Sequence, residues 1–504
     1  MPTLQLTRFV LNHSFSTFFL LFKGGFLLNS RFNHRRQNCS LLFLFSGMLS
    51  LAACGGGSSQ PSVTVPPPPE TVSISALPCA SAPCPIGAGA NWQYAASATG
   101  TTNQSVTWSI SPADAGTIDV SSGLYRAPNA VPSSPTVTVT ATTADGSASV
   151  STTLTIQAND PLGSVTYSVL PSCTGSIQNA ACYQLTVSCP GVADLFAYLK
   201  VNNPTGTPVG TVLFGTGTGG TGLYDDPTAG GYEYGSEVIT DVAGAGFNTV
   251  QVSFGGPFNP SPAQPNGWLQ GPGGVRRLAC RYATIADWVY HNPTIINPGV
   301  SPSESNSAPM CATGNSGGSA AIVYAAYEYG LGTNLNEFAM IEPTSGPVMT
   351  RIDQGCSAAS ASGTGSVCPN SSNVASMTYE PADASVIDEA YQASGASTPT
   401  PCTSAINGTA PPAGLFLSDS ILYNVSNLPI AFPNMTVKLL YGDLDNSNAV
   451  PQGMTWGESI TASSSSPNPF FQCLQGVEHD IPSSPVGTAS GDQPIASDII
   501  SLCH

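Results

Sequence analysis

The sequence predicts a multidomain chain in which an all-β sandwich is followed by an α/β domain with a mostly parallel sheet. Three observations lead there. Residues 71–157 alternate Val/Ile with Thr/Ser at a period of two, broken by turn residues. From residue 160 onward, apolar strand-like runs alternate with helical patterns, which implies parallel strands covered on both faces. The composition is that of an exported protein: only 8% of residues are charged, against about a quarter in average soluble chains, while 52 Gly, 44 Pro and 14 Cys fill the 504 positions.

The first 53 residues read as an address. They hold five of the 12 basic residues and none of the 29 acids. A basic segment, Arg31 to Gln37, precedes the apolar run Leu41–Leu51, which at about 11 residues has the length of a signal core rather than a membrane span. The run ends in Leu51-Ala52-Ala53-Cys54. This resembles a bacterial lipobox, which implies lipidation of Cys54, partnership with a bacterial membrane and localisation at the outer membrane or cell surface. Residues 54–70 form a Gly/Ser then Pro-rich tether.

Residues 71–158 form the β module, with strands expected at 71–75, 105–110, 135–141 and 148–156. The stretch from Val106 and Trp108 through Ala115-Gly116-Thr117-Ile118-Asp119 to Ala127-Pro128 is similar to the bacterial Ig-like modules of exported proteins. Trp108 is then a core residue. The module is expected to act as a spacer, with weak contact to a cell surface or glycan as the further option.

The α/β domain spans 160–504. Strands are expected at 164–170, 182–188, 195–201, 210–214, 247–254, 309–313, 338–341 and 435–441. Helices are expected near 276–291, where Leu278, Tyr282, Ile285 and Val289 share one face, near 318–329 and near 494–502. Between the strands at 338 and 435 lie about 90 residues rich in Ser, Gly and Pro, a length that suits either a cap or a disulfide-stapled surface loop.

At one strand-to-helix junction stands Gly314-Asn315-Ser316-Gly317-Gly318. Small residues around Ser316 permit a strained turn that exposes its hydroxyl, and Ala320 and Ala321 let the helix approach the sheet. A serine nucleophile needs a general base. Of five histidines, His13 and His34 lie in the leader and His504 is terminal, leaving His291 and His479. Asp445 and Asp443, both after the strand at 435–441, compete as the acid. Together these segments resemble the α/β-hydrolase superfamily, whose nucleophile elbow matches Ser316 and whose chain order of serine, acid, histidine selects His479, since His291 precedes the serine. The superfamily's strand-G-x-x-D segment selects Asp445. Its Gly-rich oxyanion loop matches 215–222, implying that backbone N–H groups at Thr216 or Gly217 act with that of Gly317. Asn315 is not a common elbow residue.

The resemblance implies a serine hydrolase, with carboxylic esters, small or polymeric, as the expected substrates. The alternatives are an adhesion or carbohydrate-binding lipoprotein on a hydrolase-like scaffold, and a serine peptidase. A net charge of −17 argues against nucleic acid as partner. No cofactor is expected. The literal G-x-G-x-x-G at 217–222 is followed by no helix start, so a dinucleotide reading is rejected. No metal site is expected either: histidines are few, and Asp225, Asp226, Asp443 and Asp445 read as solvated turn residues in preference to calcium ligands. Twelve cysteines remain outside the leader and anchor, allowing up to six disulfides; short spacings point to Cys79–Cys84, Cys173–Cys182 and Cys356–Cys368.

Overall fold

A computed structural model describes residues 68–75, 77, 79, 81–254, 265–298, 308–358, 376–392, 400–411, 414–424, 430–461, 470–484 and 491–504. The leader, Cys54 and nearly all of the tether lie outside them. Among the described residues, no helix is long and apolar enough to cross a membrane.

The alternating Val/Thr segments form strands as expected. Val106–Ser111, Thr136–Thr143 and Ser149–Gln157 join Cys84–Gly87 in a four-stranded sheet, while Asn91–Gln93, Thr117–Ile118 and Leu124–Arg126 form a three-stranded one. Inward-facing Val137, Val139, Ala141, Leu154 and Ile156 are buried, together with Trp92 and Trp108, so the pleat itself sorts apolar from polar. Thr71–Ile74 pairs with Ala96–Thr99.

Nine strands build the large sheet: β1 (Ser164–Leu170), β2 (Ala181–Ser188), β3 (Leu195–Asn202), β4 (Gly210–Gly215), β5 (Phe247–Ser253), β6 (Met310–Asn315), β7 (Phe338–Thr344), β8 (Thr436–Gly442) and β9 (Phe470–Leu474). Their spatial order is β1-β2-β3-β5-β4-β6-β7-β8-β9. The first three strands and β5 pair antiparallel, and β5 through β9 pair parallel. Every residue of β5 and β6 is buried, as expected of strands covered on both faces. One face is covered by α2 (Cys280–His291) and α3 (Gly317–Tyr327), the other by α1 (Gly235–Gly244) and α6 (Asp492–Leu502). Residue 449 opens α5 (Ala449–Thr461), which follows β8.

The segment between β7 and β8 is not a bare loop. Among its described residues it carries four short helices, Ile352–Gly355, Pro381–Glu389 (α4), Pro401–Ile406 and Leu415–Asp419. Here the sequence-based pairing needs correction: Cys356 bonds Cys402, not Cys368, which lies outside the described residues. Proximity in sequence favoured Cys368, but Asp388 of α4 accepts the Cys402 N–H at 2.6 Å, which fixes the start of the next helix. Cys79–Cys84 and Cys173–Cys182 pair as expected, and Cys189–Cys280 and Cys311–Cys503 close long loops. Asp225 also departs from expectation. It is fully buried, 2.6 Å from the equally buried Lys200 ammonium, and not a solvated turn residue.

Candidate active site

The strand β6 delivers Ser316 to the start of α3. Ser316 sits at φ 53°, ψ −116°, a conformation costly for a residue with a Cβ. Its N–H donates to the Thr344 carbonyl at the end of β7 (2.9 Å), and its own carbonyl accepts from the Ser319 hydroxyl. The flanking glycines are forced by contact. A Cβ on Gly317 would stand 1.9 Å from the Thr218 carbonyl oxygen, and one on Gly318 would stand 2.5 Å from that of Thr216.

Across the sheet's carboxyl edge, the loop after β9 carries His479 and the loop after β8 carries Asp445. His479 Nδ1 lies 3.0 Å from Asp445 Oδ2 and 3.0 Å from Ser447 Oγ. Asp445 is buried and also accepts the Ser447 N–H at 2.9 Å. Burial drives the Asp445 carboxyl upward, but the hydrogen bond and charge of His479, with the Ser447 contacts, outweigh it and hold it below the usual carboxylate value. Desolvation likewise lowers His479, yet the Asp445 hydrogen bond and charge, then Asp480 and Asp383, lift it above the ordinary imidazole value. The competing Asp443 faces elsewhere, accepting the Gly476 N–H at 2.6 Å.

Ser316, Gly317 and His479 line one cavity with Thr218, Ser447 and Asn448. Leu269 closes it on one side, and the segment between β7 and β8 supplies Val348, Met349, Tyr379, Val386 and Ile387. The wall is therefore largely apolar, with Asp383 as its carboxylate, held at 2.6 Å by the Asn448 amide.

The Gly-rich loop after β4 meets the site differently from its sequence expectation. Gly217 N–H donates to the Tyr232 hydroxyl at 2.9 Å, and Thr216 is buried with its hydroxyl against Gly222. Neither lines the cavity; Thr218, at φ 50°, does. Asn315, the unusual elbow residue, also has a place: its amide oxygen accepts from Thr344 Oγ1 (2.8 Å), and its nitrogen reaches Asp480, next to His479, at 3.4 Å.

No protein-family model matches the chain, and no curated protein matches it in sequence. Solved structures are similar at low identity. A bacterial heroin esterase is 14% identical over 68% of this chain and 85% of its own, with a TM-score of 0.35. Thermogutta terrifontis esterase 2, phosphoramylated by tabun, is 11% identical over 66% and 91%, with a TM-score of 0.33. A lipase in its open form is 13% identical over 68% and 98%, also at 0.33. Likeness at this level is slight, and the geometry of Ser316, His479 and Asp445 stands independently of it.

Proposed function

We propose that this chain is a serine hydrolase of the α/β-hydrolase type, acting on carboxylic esters through an acyl-enzyme on Ser316. One observation carries the reading: an imidazole held by a buried carboxylate opens onto the same apolar cavity as a serine on a strained strand-to-helix turn. With Nδ1 engaged by Asp445, His479 presents Nε2 as the base. It takes the Ser316 Oγ proton as that oxygen attacks the ester carbonyl, then returns the proton to the leaving alcohol. Water repeats the cycle to release the acid. Asp445 fixes the imidazole tautomer and stabilises the imidazolium without taking the proton. The N–H groups of Gly317 and Thr218 are proposed to receive the oxyanion, in place of Thr216 and Gly217.

The apolar wall favours an acyl group of modest size. The lipobox supports export and anchoring through Cys54, with the Ig-like β module as a spacer. A graded series of p-nitrophenyl esters tests the reaction class. The wild-type chain is expected to exceed Ser316→Ala by about 10⁴- to 10⁶-fold in kcat. Equal rates would remove the catalytic claim.

A further inference from the structure

His291, unused by the catalytic reading, stands in a second cluster of metal-ligating groups. It ends α2, one helical turn after Asp287, so both side chains lie on one face. Glu337, which directly precedes β7, meets them from another element. The three ligand atoms all lie within 4.8 Å of one another. His291 Nδ1 lies 3.0 Å from the Asp287 backbone carbonyl oxygen, which accepts from it, 3.3 Å from Asp287 Oδ1 and 3.9 Å from Glu337 Oε1.

Glu337 sets this cluster apart from a solvated acidic patch. It is only 4% exposed, and its Oε2 has no hydrogen-bond partner. Its backbone is held by a 2.7 Å hydrogen bond to the Leu331 carbonyl. A buried carboxylate with an unpaired oxygen is costly unless something positive meets it. The only basic group in the cluster is His291, and its side chain is 59% exposed. Asp287 adds a second carboxylate near the negative end of the α2 dipole, where negative charge is disfavoured. A cation seated among the three would offset all of these terms.

We propose that Asp287, His291 and Glu337 form a binding site for one divalent transition-metal ion of the zinc class, which pins the end of α2 to the segment entering β7. Zinc bonds of about 2.1 Å in a tetrahedron set ligand atoms roughly 3.4 Å apart, so a small closure of Glu337 completes the set. One imidazole and two carboxylates match zinc, cobalt or nickel; calcium requires six to eight oxygens. The site lies at the amino end of β7, whereas Ser316 follows the carboxyl end of the neighbouring parallel strand β6. Its role is therefore structural, and it is independent of the ester chemistry.

Calorimetric titration of the EDTA-treated full chain with zinc chloride tests the site. One ion per chain and a raised Tm are expected. His291→Ala and Glu337→Gln should each weaken binding by about 10- to 100-fold, with ester turnover unchanged in His291→Ala. If Glu337→Gln does not fold, Asp287→Asn carries the same expectation. Absence of saturable zinc binding, binding unaffected by His291→Ala, or equal affinity for calcium would each overturn the proposal. So would zinc inhibition of ester turnover in His291→Ala, since it would put the ion on His479.

Discussion

At the scale of single residues, the pair Asp445–His479 decides the pH behaviour. Asp445 lifts His479 above its ordinary value of 6.5 against the pull of burial. In the proposed mechanism His479 acts as base only when neutral, so kcat/KM should rise with pH through a midpoint above 6.5 and reach a plateau beyond it. Asp445→Asn removes the charge that raises the imidazole but keeps the burial that lowers it. The midpoint should move down, and kcat should fall by about 10⁴-fold. A pH–rate profile of both proteins checks the sign, and an unmoved midpoint would detach Asp445 from the base. The gathering of Ser316, His479 and Asp445 at one edge of the sheet was legible from the short motif and from the chain order that the resemblance implies. The direction of the Gly217 N–H was not, because it is set by the Tyr232 hydroxyl, a partner 15 residues on.

Among the elements, the junction of β6 and α3 bears the tightest packing. Gly318→Ala would drive a Cβ to 2.5 Å from the backbone oxygen of Thr216, which has no rotamer with which to escape. Loss of about 1–3 kcal/mol is expected, read as a lower urea midpoint, together with loss of ester turnover. Gly244→Ala, at the end of α1 with nothing within 4 Å of the new Cβ, serves as the contrast. It should be neutral or slightly stabilising. The strands β1 to β5, β7 and β8 were readable from their Val, Leu, Ile and Phe content, whereas β6 (Met310–Asn315) holds none of these and was placed by the motif it leads into. Among the elements not read were the short edge strand β9, the helices α1 and α5, and the small helices after β7. Ser, Gly and Pro dominate the last group, so they form through docking onto the sheet and the Cys356–Cys402 bond, and periodicity alone does not reveal them.

For the whole molecule, buried charge joins the β module to the α/β domain. Arg276 lies 2.6 Å from Asp160 and 2.9 Å from Glu328, donates to the Ala88 carbonyl at 2.9 Å and sits 4.4 Å over the Tyr423 ring. Asp160 in turn accepts the Gly87 N–H at 3.1 Å. Next to it, Arg277 stacks 4.0 Å over Trp92. Arg276→Met would strand two buried carboxylates and should cost about 3–5 kcal/mol, seen as a lower Tm of the full chain. An unchanged Tm would show that the charges are not what couples the two parts. This joint was hidden in the sequence, where Arg276, Asp160 and Glu328 are scattered charges with no pattern linking them. What the sequence did disclose at this scale was the change from the small β sheets of 71–157 to the large sheet that begins at residue 164, because Val/Thr alternation gives way there to strands interleaved with helical patterns.

Labelling of the folded full chain with a fluorophosphonate, followed by peptide mapping, tests the central claim most directly. The account predicts a single adduct on the peptide containing Ser316, abolished in Ser316→Ala and strongly slowed in His479→Ala. An unlabelled Ser316 in the folded chain, or labelling that persists undiminished without His479, would contradict it.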